Sequence, residues 1–167
     1  CKFLMGLKYF SIIQKKYIKK KSYKKNIFIC LGGTNTKKIL EKIIEYFKNQ
    51  NYKLFILDNF IKIKKRKGLV FIKKYNENIP KLASKCNYAI TGSGNLAIEM
   101  SLLKKRLLIF KINETQKDNV SFFLKKRLAF YGGDRAKIIK KNIKNFLENK
   151  IKIKNLNLNT EGHNIIL

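Results

Sequence analysis

Two glycine turns carry the residue types best suited to binding chemistry. Residues 27–34 read Ile-Phe-Ile-Cys-Leu-Gly-Gly-Thr, followed by Asn35, Thr36 and an amphipathic stretch. Gly32 and Gly33 allow tight backbone geometry that a side chain would obstruct. Thr34, Asn35 or Thr36 can cap the helix that follows. Strand, glycine turn and helix N-terminus together place free backbone N–H groups where an anion can sit. The same pattern also describes an ordinary βα turn.

Residues 87–103 repeat the design. The short strand Tyr88–Ile90 enters the turn Thr91-Gly92-Ser93-Gly94-Asn95, and a helix with Leu96, Met100 and Leu103 on one stripe follows. Glu99 is four residues after Asn95. Helical side chains lean toward the helix N-terminus, so its carboxylate points back toward the turn. Of ten acidic residues, Glu99 alone sits in a largely apolar helix beside a glycine loop. A carboxylate there can accept two hydrogen bonds from a sugar diol. The alternative is a plain surface helix residue. A third segment, Ile112 to Asn119, sets Gln116 and Asn119 three apart on one helix face. Amides in that position can hydrogen-bond sugar hydroxyls or phosphate. Capping by Asn113 or Thr115 is the other use of the segment.

These side chains need a scaffold, and the apolar pattern describes one. Strands are expected near 27–31, 53–57, 69–72, 87–91, 107–111 and 128–131. Helices are expected near 36–49, 78–85, 95–104, 115–126 and 135–148, with Asp58–Gly68 as a loop. A continuous apolar run such as 27–31 suits a strand buried on both faces. Regular strand–helix alternation predicts an α/β fold, a Rossmann-like doubly wound parallel sheet with helices on both faces. Such sheets bind ligands beyond the carboxyl ends of their strands, where the order switches. Both glycine turns lie at that end.

Composition narrows the function classes. The chain has 167 residues, 45% of them apolar, and one proline. That suits a single domain with a real core. No 18-residue apolar stretch exists, so no transmembrane helix is expected. The N-terminus lacks a signal-peptide pattern. The first residue is Cys1 rather than Met, and we expect the chain to begin inside a longer protein. Residues 1–25 then read as a leading segment and linker from an absent N-terminal domain, with an amphipathic piece Tyr9 to Ile18 and the lysine-rich connector Lys19–Lys25. Residues 26–150 form the binding domain and 151–167 a C-terminal tail.

The formal charge of +29 would ordinarily suggest nucleic acid or an anionic surface. Here the excess is nearly all lysine, spread through every segment beside abundant Ile and Asn, as an AT-rich genome produces through its codons. Arg66, Arg106, Arg127 and Arg135 are the only arginines. Arginine is the usual reader of bases and phosphates, and no pattern of interleaved aromatic and basic residues appears. A specific nucleic-acid partner is not expected, although nonspecific polyanion binding at low salt is. Cys1, Cys30 and Cys86 form no Cys-x-x-Cys pair, which fits a reduced cytoplasm. His163 is the single histidine, so neither a metal site nor a histidine-dependent triad within this chain is expected.

The motif order resembles a known group of enzymes. Strand–Gly-Gly-Thr, then Gly-x-Gly-Asn-x-x-x-Glu (92–99), then Glu-Thr-Gln-x-x-Asn (114–119) is similar to the C-terminal half of GT-B enzymes that bind UDP-sugars. The peptidoglycan UDP-N-acetylglucosamine transferases are relatives of that kind. The run Phe28 to Asn35 and the upstream Gly6-Leu-Lys-Tyr9 also resemble the UDP-2,4-diacetamido-2,4,6-trideoxy-β-L-altropyranose hydrolase family of pseudaminic acid synthesis. The resemblance covers most of residues 6–148.

It implies the C-terminal domain of a GT-B architecture. Gly32, Gly33 and Thr34 would border the diphosphate. Ser93, Gly94 and Asn95 would supply donors at the second helix N-terminus, with Thr91 among the UDP-binding residues, and Glu99 would bind the ribose. Gln116 and Asn119 would approach the sugar or diphosphate. Thr115 stands where transferase relatives often carry His, and Asn35 where the hydrolases often carry Asp. The family's catalytic histidine belongs to the N-terminal domain, so no catalytic residue, metal or cofactor is implied for this chain. The implied activity is UDP release from a UDP-sugar by a two-domain hydrolase. The alternatives are the C-terminal domain of a family 28-like glycosyltransferase and a basic polyanion-binding module.

Overall fold

A computed structural model describes residues 23–32, 36–57, 68–72, 78–134, 137–138, 140–148 and 153–154. The expected leading segment through residue 22, the 58–67 loop, Gly33, Thr34, Asn35, Arg135 and His163 lie outside the described residues.

Six strands form one sheet: β1 (Tyr23–Cys30), β2 (Lys53–Leu57), β3 (Leu69–Ile72), β4 (Cys86–Gly92), β5 (Arg106–Lys111) and β6 (Phe130–Asp134). Every pairing is parallel, in the order β3-β2-β1-β4-β5-β6. The helices are α1 (Lys37–Tyr46), α2 (Asn78–Ser84), α3 (Asn95–Leu102), α4 (Lys117–Lys125) and α5 (Lys140–Glu148), with a 3-10 turn at Glu114–Gln116. This is the Rossmann-like doubly wound sheet that the sequence predicts, with β1 and β4 as inner strands. The strand order reverses between those two, which is the place, beyond the carboxyl ends, where sheets of this kind bind ligands.

Period-two alternation sorts the inner strands between two apolar layers. Phe28, Ala89, Leu107 and Ile109 join Ala97 and Met100 of α3 and Phe123 of α4 on one face. Ile27, Ile29, Ile90, Leu108 and Phe110 join Ile39, Leu40 and Ile43 of α1 and Phe146 of α5 on the other. Strands buried on both faces read as continuous apolar runs, which is why they are legible from sequence.

The same alternation works at the amino end of β5. Lys105 and Arg106 leave on opposite faces. The buried Lys105 ammonium donates to the Ser84 carbonyl at 2.7 Å, at the C-terminus of α2. Arg106 donates to the Phe146 and Asn145 carbonyls at the end of α5, and its guanidinium lies 4.6 Å from the Phe130 ring centroid. Cations at helix C-termini satisfy orphan carbonyls and complement the dipole. Burial lowers Lys105 to about 8 and raises Cys86 to about 12, with Lys105 pulling the thiol the other way.

Several boundaries differ from the apolar pattern, among them the end of α1 at Tyr46 rather than 49 and three whose cause is visible. β1 starts at Tyr23, not near 27, because Tyr23 pairs with Cys86 across a register shift; Tyr23–Lys25, expected in the linker, are strand. β6 is displaced from 128–131 to Phe130–Asp134, through two glycines. The Phe110 ring covers Gly132, where a Cβ would lie 2.4 Å from it. α5 starts at Lys140 rather than near 135. Lys137 intervenes: the Asp134 N–H donates to its carbonyl, and its own N–H donates to Asp134 Oδ1 at 2.9 Å.

Candidate functional site

The carboxyl ends of β1 and β4 approach unusually closely. A Cβ on Gly92 would stand 2.4 Å from the Leu31 carbonyl oxygen, so only glycine lets the two strand ends meet. Gly32 follows with φ +64°, a left-handed conformation that glycine adopts without strain. Thr36 is the N-cap of α1 but makes no side-chain capping bond.

The β4 turn is held from beneath. Ser93 is fully buried. Its N–H donates to the Phe110 carbonyl at 3.1 Å, and its hydroxyl donates to Gln116 Oε1 at 3.1 Å. The Ile112 N–H donates to the same Oε1 at 3.0 Å. The sequence casts Ser93 as a donor to ligand. In the structure both its donors are engaged within the protein, and what it supplies is the shape of the turn.

Gly94 is the N-cap of α3, in extended conformation, and accepts from the Ala97 N–H at 3.0 Å. Asn95 is exposed as the first helical residue. The N–H groups of Asn95 and Leu96 lie in the first turn, where a helix has no acceptor of its own to offer. Thr91 is fully buried, and its hydroxyl is the one buried side-chain polar atom without a partner among the described residues.

Glu99 is half-buried on α3, and no hydrogen bond or ion pair reaches it from the described residues. Burial alone raises its carboxyl from 4.5 to about 7. A carboxylate kept from water and given no partner can accept hydroxyl hydrogen bonds with little competition.

The third segment begins beyond β5 as the 3-10 turn Glu114–Gln116. Thr115 donates to Asn113 Oδ1 at 2.7 Å. Glu114 is exposed and paired with Lys111 at 2.8 Å. Gln116 is half-buried, with Nε2 3.7 Å from where a Cβ of Gly94 would be. Asn119 is exposed on α4. The structure therefore joins Thr91, Ser93, Gly94 and Gln116 in one cluster at the carboxyl end, with Asn95 and Glu99 on the helix leaving it. The sequence did not reveal the Gln116 carbonyl as a brace. Its signal, an amide immediately before an exposed polar helix face, has many uses.

Among the described residues no group of three or more His, Cys, Asp or Glu side chains could hold a metal ion. No helix among them is long and apolar enough to cross a membrane. A separate groove of about 510 Å³ lies away from the turns, between Lys42, Glu45 and Tyr46 of α1 and the 137–143 stretch.

No family model matches the sequence, and no curated protein matches it. Among solved structures the chain is similar to the UDP-GlcNAc 2-epimerase from Methanocaldococcus jannaschii, with a TM-score of 0.64 and 17% identity. The match covers 86% of this chain and 45% of that protein, so the chain spans less than half of the epimerase's length. At that identity the likeness establishes the fold.

Proposed function

We propose that this chain is the nucleotide-binding half of a two-domain UDP-sugar enzyme of GT-B architecture. UDP lies across the β1/β4 crevice. Gly32, Gly33 and Thr34 border the diphosphate on one side, and the Gly94–Leu96 turn meets it on the other with N–H donors and the positive end of α3. Glu99 accepts from the ribose hydroxyls. Asn119, exposed on α4, is the further polar side chain we place beside the nucleotide. The observation that carries this reading is Glu99: a half-buried carboxylate without a partner, one turn into a helix whose N-terminus stands at the strand-order switch. The solved UDP-sugar epimerase of the same fold supports the choice of nucleotide.

The reaction we assign is hydrolysis, on the motif order 92–99 and 114–119 and its resemblance to the hydrolases of pseudaminic acid synthesis. Water adds to the anomeric carbon, the bond to the β-phosphate oxygen breaks, and UDP leaves. The water-activating histidine belongs to the partner domain. Neither Cys30 nor Cys86 is in a disulfide among the described residues, as expected in a reducing cytoplasm.

Glu99→Ala tests the reading. We expect UDP affinity to fall by ~1–3 kcal/mol, the cost of charge-assisted hydrogen bonds, and affinity for inorganic pyrophosphate, which has no ribose, to fall far less. Equal losses for both ligands, measured by calorimetry, contradict the ribose role.

A further inference from the structure

The layer that holds α1 and α5 leaves a gap between the two helices. Both give apolar faces to one core, through Ile39, Leu40 and Ile43 on α1 and Ile143 and Phe146 on α5. Lys42 and Tyr46 are four apart on α1, and Lys140 and Ile143 three apart on α5. Each helix therefore sets a lysine beside an apolar side chain on one face. The groove of about 510 Å³ lies between these pairs, with Lys137 and Ile138 along it.

The walls of the groove are held in place by bonds made elsewhere. On one side, Gly133 takes φ +114°, and a Cβ there would collide with the Lys137 carbonyl. Gly133 forms an antiparallel bridge with Ile138, and Asp134 accepts from the Lys137 N–H at 2.9 Å. Asn142 donates to the Tyr131 carbonyl at 2.7 Å and so ties α5 to β6. On the other side, the Tyr46 ring stands edge-on to Phe47, with centroids 5.3 Å apart. A pre-formed groove of this volume falls within the roughly 300–1,000 Å³ of small-molecule sites.

Charge selects the ligand. Among the described residues no carboxylate pairs with the side chain of Lys42, Lys137 or Lys140. Glu45, the acid on the same lining, is engaged by Lys48 at 3.3 Å. We propose that this groove is a second ligand site, for a small amphipathic anion. Its apolar body lies on Tyr46, Ile138 and Ile143, and its oxyanion head meets Lys42, Lys137 and Lys140. The site stands apart from the nucleotide reading and does not depend on it.

The surroundings favour a small molecule over a larger partner. Leu124, on α4 in the other layer, is the one large hydrophobic exposed among the described residues. The groove therefore has no apolar rim of the kind a protein partner needs, on the order of 800 Å² per side. A second copy of a chain with charge +29 would set lysine against lysine.

Decyl phosphate below its micelle concentration, decanol and inorganic phosphate are the probes. Each is titrated into the isotope-labelled chain 1–167 at physiological salt. Decyl phosphate should saturate one site, shift the Ile138 and Ile143 methyls, and bind roughly tenfold tighter than decanol. Inorganic phosphate should leave those methyls unmoved. Lys42→Gln combined with Lys140→Gln should weaken decyl phosphate roughly tenfold and leave decanol unchanged. Lys125→Gln combined with Lys126→Gln, at the end of α4, removes the same charge and should change neither. Equal affinity for decyl phosphate and decanol, or equal losses in the two double variants, overturns the role of the lysines. Shifts centred away from Ile138 and Ile143 overturn the site. Capture of the chain by phosphatidylglycerol vesicles at the same salt, abolished by Lys42→Gln with Lys140→Gln, makes this face a membrane surface and overturns the small ligand.

Discussion

Glu99 makes a pH-dependent ligand of its own site. Burial raises its carboxyl to about 7, so between pH 4.5 and about 7 the folded chain holds a proton that the unfolded chain releases. The sign follows from linkage. This group's contribution to stability is complete below 4.5 and is lost as pH rises through about 7. In the proposed site, ribose hydroxyls would donate to the ionised form, so binding would run the other way. Uridine, which carries no titrating phosphate, should bind roughly tenfold tighter at about pH 8 than at about pH 6. Glu99→Gln should bind it equally at both. A flat wild-type profile in calorimetric titrations counts against the ribose contact. At this scale the residue types were legible and the partners were not. Gly92 is readable as a turn glycine. That it clears the Leu31 carbonyl is a contact between strand ends sixty residues apart, which no local pattern encodes. Ser93 looks like a donor for ligand because its burial and its two internal bonds are tertiary facts.

At the scale of elements, the apolar pattern located the six strands and five helices of the described residues, most securely the inner strands, where both-face burial makes a continuous run. It failed where backbone pairing or a single ring decides the boundary. Tyr23 enters β1 through its ladder with β4, and Gly132 stays in β6 beneath Phe110. The paired cations at the head of β5 were equally hidden among many lysines. Arg106 closes the end of α5 through two carbonyls and stacks on Phe130. Arg106→Ala should cost about 1–3 kcal/mol by leaving those carbonyls half-buried without donors. Denaturant unfolding reads the loss, and faster amide exchange confined first to α5 locates it. Unchanged stability would mean that solvent replaces the arginine.

For the whole molecule, the charge of +29 and the site give different expectations. Lysine attraction to polyanions is screened by salt, whereas a nucleotide seated as proposed on helix N–H groups and Glu99 should survive physiological ionic strength. Chemistry is a further step. Proton transfer needs a group of suitable pKa within reach, and Glu114, the other acid near the cleft, is exposed and paired with Lys111. On the proposed reading, the chain 1–167 should bind a UDP-sugar and leave it intact, with UDP release appearing when a histidine-bearing N-terminal domain of the hydrolase kind is supplied. Sustained release by this chain alone, abolished by Glu114→Gln, would put the whole active site here.

The central claim is the location of UDP, and titrating the isotope-labelled chain with UDP at physiological salt tests it most directly. The account predicts saturable amide shifts centred on Gly94, Asn95, Leu96 and Ile112, and their weakening in Glu99→Ala. Shifts centred instead on the lysine-lined groove at Lys42, Lys137 and Lys140, or lost on raising salt, would contradict it.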